Sequence, residues 1–546
     1  MSTPYVIADT EDDSHELLSQ GKSGHLKKVV QICAISSTRG LFHNDGDLDD
    51  FLGWILEHGE CVVYFHNLRY DLGSLFSGKL DDLDVTGVGG RMIRVRWKSI
   101  TFLDSLNLWP MSVKKLGKAF GLEKKEFDAN SKEYALRDVQ IVHRAIDYVR
   151  DMAAENGVDR LPATIGGLAM KIFKAQGGKS WFNDWVNKET DIPMGYYGGR
   201  VELFGTGGKG NIAYTDINSL YPYCLTLGYP EHMEKQTDIQ CHGLASAIVS
   251  VPLNERIAPL PVRRLTGEIQ YPVGEFSGVW PCAEIRYAVQ SGATIQKLNW
   301  VFGSKLAVPY YKSFIDKFYA KRLESQSEPE SLFYKLLMNN LYGQLAMSGE
   351  IKRSVSLQDR DFDGEDFIGG GIPYGKKKYI ELQMPLPEHC NYVHAAHVTS
   401  YARIELQKHL HKVPTDDLIY CDTDSIIFFT PGDELPFPVG NELGMMKLVG
   451  FADECRTFAP KCYSYGTEFK AKGVKVSMAR EFLLDGQATF PVPFGFSEAC
   501  EFYDRGNSKP LSVWRNVTKR FKSNYDKKKL IDGLWYPIKL KATVAQ

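Results

Sequence analysis

The chain has 546 residues, more than one hydrophobic core usually supports, so several domains are expected. An apolar fraction of 43% with 12% aromatics excludes wholesale disorder, and a net charge of −2 excludes a globally basic nucleic-acid binder, so any such binding must use local basic patches around acidic sites. The ten cysteines have no CxxC pair and no zinc-like spacing, the start has no basic segment leading into an apolar run, and no stretch approaches about 18 apolar residues; an intracellular, cytoplasmic chain with no membrane contact is expected.

The first 150 residues alternate strand-like runs, YVIADTE, CVVYFHN and SITFLDSL, with helical ones, ending in SKEYALRDVQIVHRAIDYVRDM, whose apolar residues recur at helical spacing. This predicts an α/β domain. A helical, aromatic segment follows, then GYYGGRVELFGTGGKGN, whose glycines mark turns between strands. From IAYTDINSLYP the strand pattern resumes, and Leu225 to about Val308, rich in Val, Ile, Pro and Gly, predicts a β-rich insertion. SFIDKFYAKRLESQSEPESLFYKLLMNNLYGQLAM predicts two helices joined by a polar turn holding Pro329. Residues 348–394 contain FIGGGIPYGKKKYIEL, a hairpin-like piece with a Gly-Lys tip. The helix VTSYARIELQKHLHKV leads into YCDTDSIIFF, read as one extended strand, and the remainder from Gly466 mixes short strands with the basic stretch WRNVTKRFKSNYDKKKL. The whole reads as an α/β and α+β multidomain chain.

YCDTDSIIFF sets Asp422 and Asp424 one residue apart among apolar and aromatic side chains. In an extended segment alternate side chains share a face. Two ionised carboxylates about 4 Å apart repel by about 4 kcal/mol at an effective dielectric of 20, so a positive partner is expected. Asp216, in YTDINSLYP, ends another apolar strand. If the strands are neighbours, the three carboxylates suit hard divalent cations, which are held by one or two carboxylates plus substrate phosphates. Two such ions about 3.5 to 4 Å apart stabilise both the attacking and the leaving oxygens of a phosphoryl displacement. Asp-x-Asp alone more often marks a solvated hairpin turn; the flanking aromatics and Asp216 reverse that preference. On the two helices, Lys335, Asn339 and Tyr342 fall on one face, as do Lys317 and Lys321, with Arg322 adjacent. Such a basic stripe neutralises a transferring phosphoryl group; each lysine taken singly is more often a solvated helix face, and it is their convergence that carries weight.

DINSLYP (216–222), KLLMNNLYG (335–343), YCDTDS (420–425) and KCY (461–463) resemble, in order, the A, B, C and Lys-x-Tyr motifs of family B DNA polymerases. The resemblance implies that Asp216 and Asp424 bind catalytic metals and that Asp422 supports the site. It implies that Tyr221 stacks under the incoming sugar and excludes ribonucleotides, and that Lys335 with Lys321 or Arg322 meets the triphosphate. Asn339 and Tyr342 line the nucleotide pocket, and Lys461 and Tyr463 hold the primer end. Asn340 departs from the family, which usually has a small hydroxyl residue there.

A second acidic set lies upstream. Asp9 and Glu11 alternate on one strand face, Asp71 follows YFHNLRY, and Asp138 lies one helical turn after Tyr134. Four carboxylates with a tyrosine to orient water suit two-metal hydrolysis of a phosphodiester, while any one Asp taken singly is more often a helix cap or surface residue. DTE, NLRYD and YALRD look like the three motifs of proofreading 3′-to-5′ exonucleases. By that resemblance Asn67, Tyr70, Ser105 and Leu106 contact the frayed strand, and Lys124, with Lys125 adjoining it, stabilises the scissile phosphate. YYGG (196–199) resembles the Tyr-x-Gly-Gly element that switches primer ends between sites, with Tyr196, Gly198 and Gly199 against DNA; an ordinary turn is the other reading.

The resemblance implies an RNase H-like exonuclease domain (1–160) followed by a right-hand polymerase: linker and first part of the palm (161–225), first insertion (226–312), fingers helices (313–345), second insertion (346–394), second part of the palm (395–465) and thumb (466–546). The insertions sit where the protein-primed branch, known from phages, adenoviruses and linear plasmids, carries its own. By resemblance the first contacts a terminal protein and the second closes around the template for processivity and strand displacement; each could equally be a surface elaboration. The first exonuclease motif begins at Asp9, without the long preceding region of replicative cousins. Two Mg²⁺ ions at each centre, with Mn²⁺ as substitute, DNA template and primer, dNTPs, a terminal protein and a monomeric state are the implied cofactors, partners and assembly. Arg515, Lys519, Arg520 and Lys522 track duplex phosphates like a thumb, or form a solvated helix face. Neither GGKS (177–180), where the upstream glycine position is Phe173, nor GTGGKG, which lacks the GK[ST] ending, is a nucleotide fingerprint. A nucleic-acid-primed polymerase, a nuclease that only binds DNA with its second half, and a non-catalytic replication scaffold are the competing readings; the second would require loss of motif carboxylates, all of which are present.

Overall fold

The computed structural model describes residues 3–12, 29–76, 79–178, 192–356, 367–493, 496–497, 514–521 and 525–541. The chain forms two compact units, each assembled from three stretches: residues 1–177, 320–387 and 489–517 in the first, the remainder in the second.

The first unit is built on a ten-stranded sheet. Its centre is parallel: Tyr5–Asp12 pairs with Cys61–Phe65, and that strand with Ile100–Asp104, with helices and further strands in the connections. The long helix Lys132–Glu155 buries Ala135, Val139, Val142, Ile146 and Val149 along one stripe. Ser131 caps it by accepting from the Tyr134 amide. The strand Glu350–Ser356 pairs with Asp84–Val88, and the hairpin Phe367–Tyr374/Lys377–Gln383 continues the same sheet to its edge. The helix Glu328–Leu341 is held in this unit by Phe333, whose ring lies 6.2 Å from Trp109 and 5.8 Å from Tyr148. Pro329 is not in the turn between the two helices but in the first turn of the second, where its missing N–H costs no hydrogen bond.

The second unit carries a seven-stranded sheet in the order Glu468–Ala471, Cys462–Tyr465, Met446–Ala459, Gly207–Ile217, Ser425–Phe429, Leu418–Asp422, Val201–Leu203. Beside it in sequence, residues 234–304 form a separate sheet of four strands, to which Lys539–Leu540 adds a parallel fifth. The helix Tyr392–Leu410 is buried over most of its surface, which explains its lack of an amphipathic stripe.

The opening reading of YCDTDSIIFF as one strand is corrected. The segment is two strands, Leu418–Asp422 and Ser425–Phe429, joined at Thr423–Asp424. Each strand has enough apolar side chains for a buried strand, and the polar Asp-Thr-Asp is where the chain can reverse; Thr423 adopts a φ of 61° to do so. Trp514–Arg520, containing Lys519 and Arg520, is a strand rather than a helix face; Lys522, the side chain of Arg515, and the last two residues of GGKS lie outside the described residues. The nine described cysteines are free and buried, and among the described residues no helix is long and apolar enough to cross a membrane.

Candidate active sites

In the second unit, register assembles the carboxylates. Asp216 pairs across Ser425, which also pairs with Asp422, so the two aspartates flank one serine on the same face of the sheet. Asp424 sits in the turn beside them, and its carbonyl accepts from the Ile217 amide at 2.7 Å, tying the hairpin tip to the strand that bears Asp216. Burial first, then the charge of Asp216, pushes the Asp424 carboxyl up to about 7.

The expected positive partner is Lys461, which pairs with Asp422. Lys461 Nζ donates to both oxygens of Asp422, at 2.8 and 3.0 Å; the Tyr420 hydroxyl and the Thr423 hydroxyl donate to the same carboxylate, each at 3.2 Å. Asp422 is thus paired by the protein's own lysine, while Asp216 and Asp424 lie close enough for the charge of the one to raise the pKa of the other. Tyr463 packs against Tyr420 with the rings tilted by 44° and their centroids 5.2 Å apart. Gly199 explains why the turn before this sheet needs glycine: a Cβ there would lie 2.7 Å from the Thr423 hydroxyl and 3.0 Å from that of Tyr221. Tyr221, on the short helix Leu220–Leu225, is thereby placed beside the hairpin tip, whereas Gly198 has open space around it and Tyr196 packs 6.5 Å from the Tyr392 ring.

In the first unit, Asp9, Glu11 and Asp138 bring carboxylate oxygens within 4.8 Å of one another. Burial, then the charges of Glu11, Asp71 and Asp138, hold Asp9 well above the ordinary carboxylate range. Asp71 is buried in the helix Leu68–Leu75 and accepts from the Thr10 hydroxyl, on the residue between Asp9 and Glu11. Lys124 and Lys125 part ways: Lys124 pairs with Asp138 and lies 4.7 Å from the Tyr134 ring centre, whereas Lys125 pairs with exposed Glu133. Burial opposes the Lys124 ammonium, but the hydrogen bond and charge of Asp138 outweigh it and raise its pKa. Burial likewise pushes the Tyr134 phenol up to about 12. Asn67 is exposed at a φ of 77°, its amide donating to Asp104 at 2.9 Å; the Tyr70 hydroxyl donates to Asp12 at 2.8 Å. Ser105 is buried with its hydroxyl donating to the Phe65 carbonyl, while Leu106 is half-buried.

The helical residues belong to this first unit too. Lys335 is exposed, and Asn339 and Tyr342 are half-buried. Lys321 lies 5.8 Å from the Tyr334 ring; Arg322 follows it, half-buried, in the last turn of Lys312–Glu324. Asn340, where the family has a small hydroxyl, donates to the Leu336 carbonyl one turn back in its own helix at 2.8 Å.

Sequence reasoning missed Tyr420, Thr10 and Lys470. Tyr420 shares a strand face with Asp422, a signal that period two offers. Thr10 was hidden between two carboxylates. Lys470 is one surface lysine among many until pairing with Tyr463 lays it 5.6 Å from that ring and 5.4 Å from Tyr214.

The family model of organellar and viral type B DNA polymerases matches residues 121–426. The chain is 28% identical over 437 residues to the DNA-directed DNA polymerase of Enterobacteria phage PRD1, covering 71% of this chain and 70% of that one. It is 25% identical over 474 residues to the DNA polymerase of Bacillus phage Nf, covering 74% and 77%. The match to a probable DNA polymerase of Neurospora intermedia, 24% identical over 326 residues, covers 53% of this chain but spans only 32% of that relative's length. Phi29 DNA polymerase superposes with a TM-score of 0.72 at 17% identity, covering 95% of this chain and all of that one; in its complex with primer-template DNA and incoming nucleotides the TM-score is 0.70 at 18% identity. The shared fold is the mixed α/β multidomain architecture of an exonuclease domain with palm, fingers and thumb.

Proposed function

The chain belongs to the organellar and viral type B DNA polymerases, and from that we propose that it is a DNA-directed DNA polymerase extending a 3′ hydroxyl, with a proofreading 3′-to-5′ exonuclease. The observation that carries the reading is the placement of Asp216 beside Asp424 with Asp422 already neutralised by Lys461. Two like-charged carboxylates, one pushed to about 7, fit a hard divalent cation such as Mg²⁺. Bound there, such a cation supplies Lewis-acid stabilisation of charge on the attacking and leaving oxygens.

The chain's own residues do the rest. Tyr221 supports the incoming sugar; Lys335, with Lys321 or Arg322, meets the triphosphate; Asn339 and Tyr342 line the nucleotide pocket; Lys461 and Tyr463 hold the primer end. In the exonuclease, Asp9, Glu11, Asp71 and Asp138 hold the cations. Lys124 stabilises the scissile phosphate, Tyr134, protonated at neutral pH, orients the attacking water, and Asn67, Tyr70, Ser105 and Leu106 contact the strand. Because the Ser105 hydroxyl is committed to Phe65, its contact would come through the backbone.

We further propose that synthesis starts on the hydroxyl of a terminal protein and proceeds with strand displacement. The segments at 226–312 and 346–394, in the places the protein-primed branch uses, support this. Incubation with a terminal protein from the same genetic element, labelled dNTPs and Mg²⁺ tests it: a covalent protein–nucleotide adduct is expected. Extension of a primed template without any adduct would leave a nucleic-acid-primed polymerase, and no turnover in either assay would leave a scaffold.

A further inference from the structure

Arg403, on the helix Tyr392–Leu410, is 1% exposed, and no step described above uses it. Its Nε and Nη2 donate to the two carboxylate oxygens of Glu284 at 2.7 and 2.6 Å, and its Nη1 donates to the carbonyls of Tyr197 and Gly198 at 3.0 and 2.9 Å. Glu284, equally buried, lies in the first turn of Cys282–Gln290, the helix that follows the strand Val273–Pro281 of the β-rich segment. One residue earlier, the Tyr196 carbonyl accepts from Arg263 at 2.7 Å. On the other side, Gly199 lies against Thr423 and Tyr221, and the Arg200 carbonyl accepts from the Thr423 amide at 2.7 Å. Residues 196–200 are therefore gripped by arginines along one edge and touch, along the other, the residue between Asp422 and Asp424.

A buried ion pair is weak evidence for stability, since apolar side chains of similar volume commonly serve as well. What a guanidinium adds is direction: its planar fork fixes a carboxylate and two peptide carbonyls in one frame. We propose that Arg403 and Glu284 form a positioning clamp for the polymerase centre, holding residues 196–200 so that Thr423 keeps Asp422 and Asp424 in place and linking the β-rich segment to nucleotide transfer. Both are positioning residues, and the inference rests on the polymerase reading of Asp216 and Asp424.

The test uses the full chain and three variants: Arg403→Met with Glu284→Met, which removes the pair without stranding a charge; Arg403→Lys, which cannot span the fork; and Glu284→Gln, which leaves the arginine free to hold both carbonyls. Single-nucleotide incorporation on a primed template, primer-template affinity and the thermal midpoint are measured. A misplacement of about 1 Å costs on the order of 10²-fold, so the double variant should keep its midpoint and DNA affinity while kcat falls about 30- to 100-fold at nearly constant nucleotide KM. Arg403→Lys should fall with it, and Glu284→Gln should retain most of the rate. A folded double variant with the parental kcat would make the pair structural only. If the double variant unfolds, the single variants decide: equal loss in both overturns the clamp. A parent chain that cannot extend the primer sinks the polymerase reading instead, and the clamp with it.

Discussion

Both carboxylate centres contain a lysine, and the two lysines do different things. In the first unit Lys124 sits on Asp138, itself one of the three clustered carboxylates, so the protein's own cation shares a candidate metal ligand. In the second, Lys461 sits on Asp422, while burial and the charge of Asp216 push the Asp424 carboxyl up to about 7. The demand for an added cation therefore depends less on how many carboxylates converge than on which of them the protein neutralises. Of the two lysines, Lys124, paired with buried Asp138, is the less exposed, and Lys461, paired with Asp422, the more exposed.

The sharpest way to break this comparison is to remove one ligand at a time. Asp424→Ala should lower primer extension by at least about 10³-fold while leaving removal of a mismatched 3′ end within about twofold. Asp9→Ala with Glu11→Ala should do the reverse, read on the same two substrates. If either change silences both reactions in a folded chain, the centres are not independent. Next in size, Lys124→Ala should slow digestion about 10²-fold, whereas Lys125→Ala, which loses only an exposed pair, should stay within about twofold. Lys461→Met removes two charge-assisted hydrogen bonds from Asp422 and should reduce extension about 10- to 100-fold, with digestion as the internal control.

The smallest expected effect concerns acid. Burial holds His394 at about 4 and His397 at about 3 in the second unit, and His66 at about 4 in the first. These rings stay neutral in the fold, while the unfolded chain takes up a proton below about 6.5. Stability is unaffected above that value and falls as the pH drops from about 6.5 toward the folded pKa. At pH 5 each ring should cost about 2 kcal/mol. Amide exchange at pH 7 and pH 5 should thus show the second unit, with two such rings, loosening more than the first; equal loosening would mean that other groups dominate.

Much of the chemistry was legible because it rests on spacing. Period two put Asp9 and Glu11 on one face, and helical period put Asp138 one turn after Tyr134. The Gly-Lys hairpin at 375–376 follows from local turn preferences, and the structure has it. What spacing did not settle shares a cause. In YCDTDSIIFF the aromatic flanks outweighed the turn that Asp-x-Asp offers, yet the chain does reverse at Thr423, and the strands paired on either side hold it there. Lys124 and Lys125 are indistinguishable as neighbours until the packing of Lys132–Glu155 decides which one reaches Asp138.

By itself the sequence determined the family, matched over residues 121–426, and named the candidate side chains, because a motif is a local arrangement of residue types and needs no partner to be read. The tertiary structure alone decided which carboxylate Lys461 pairs with, which lysine pairs with Asp138, and that Arg403 joins Glu284 to the backbone at 197–198. These are contacts between residues from 14 to over 200 positions apart. Sheet register and helix packing set such distances, and neither is written in any one stretch of chain.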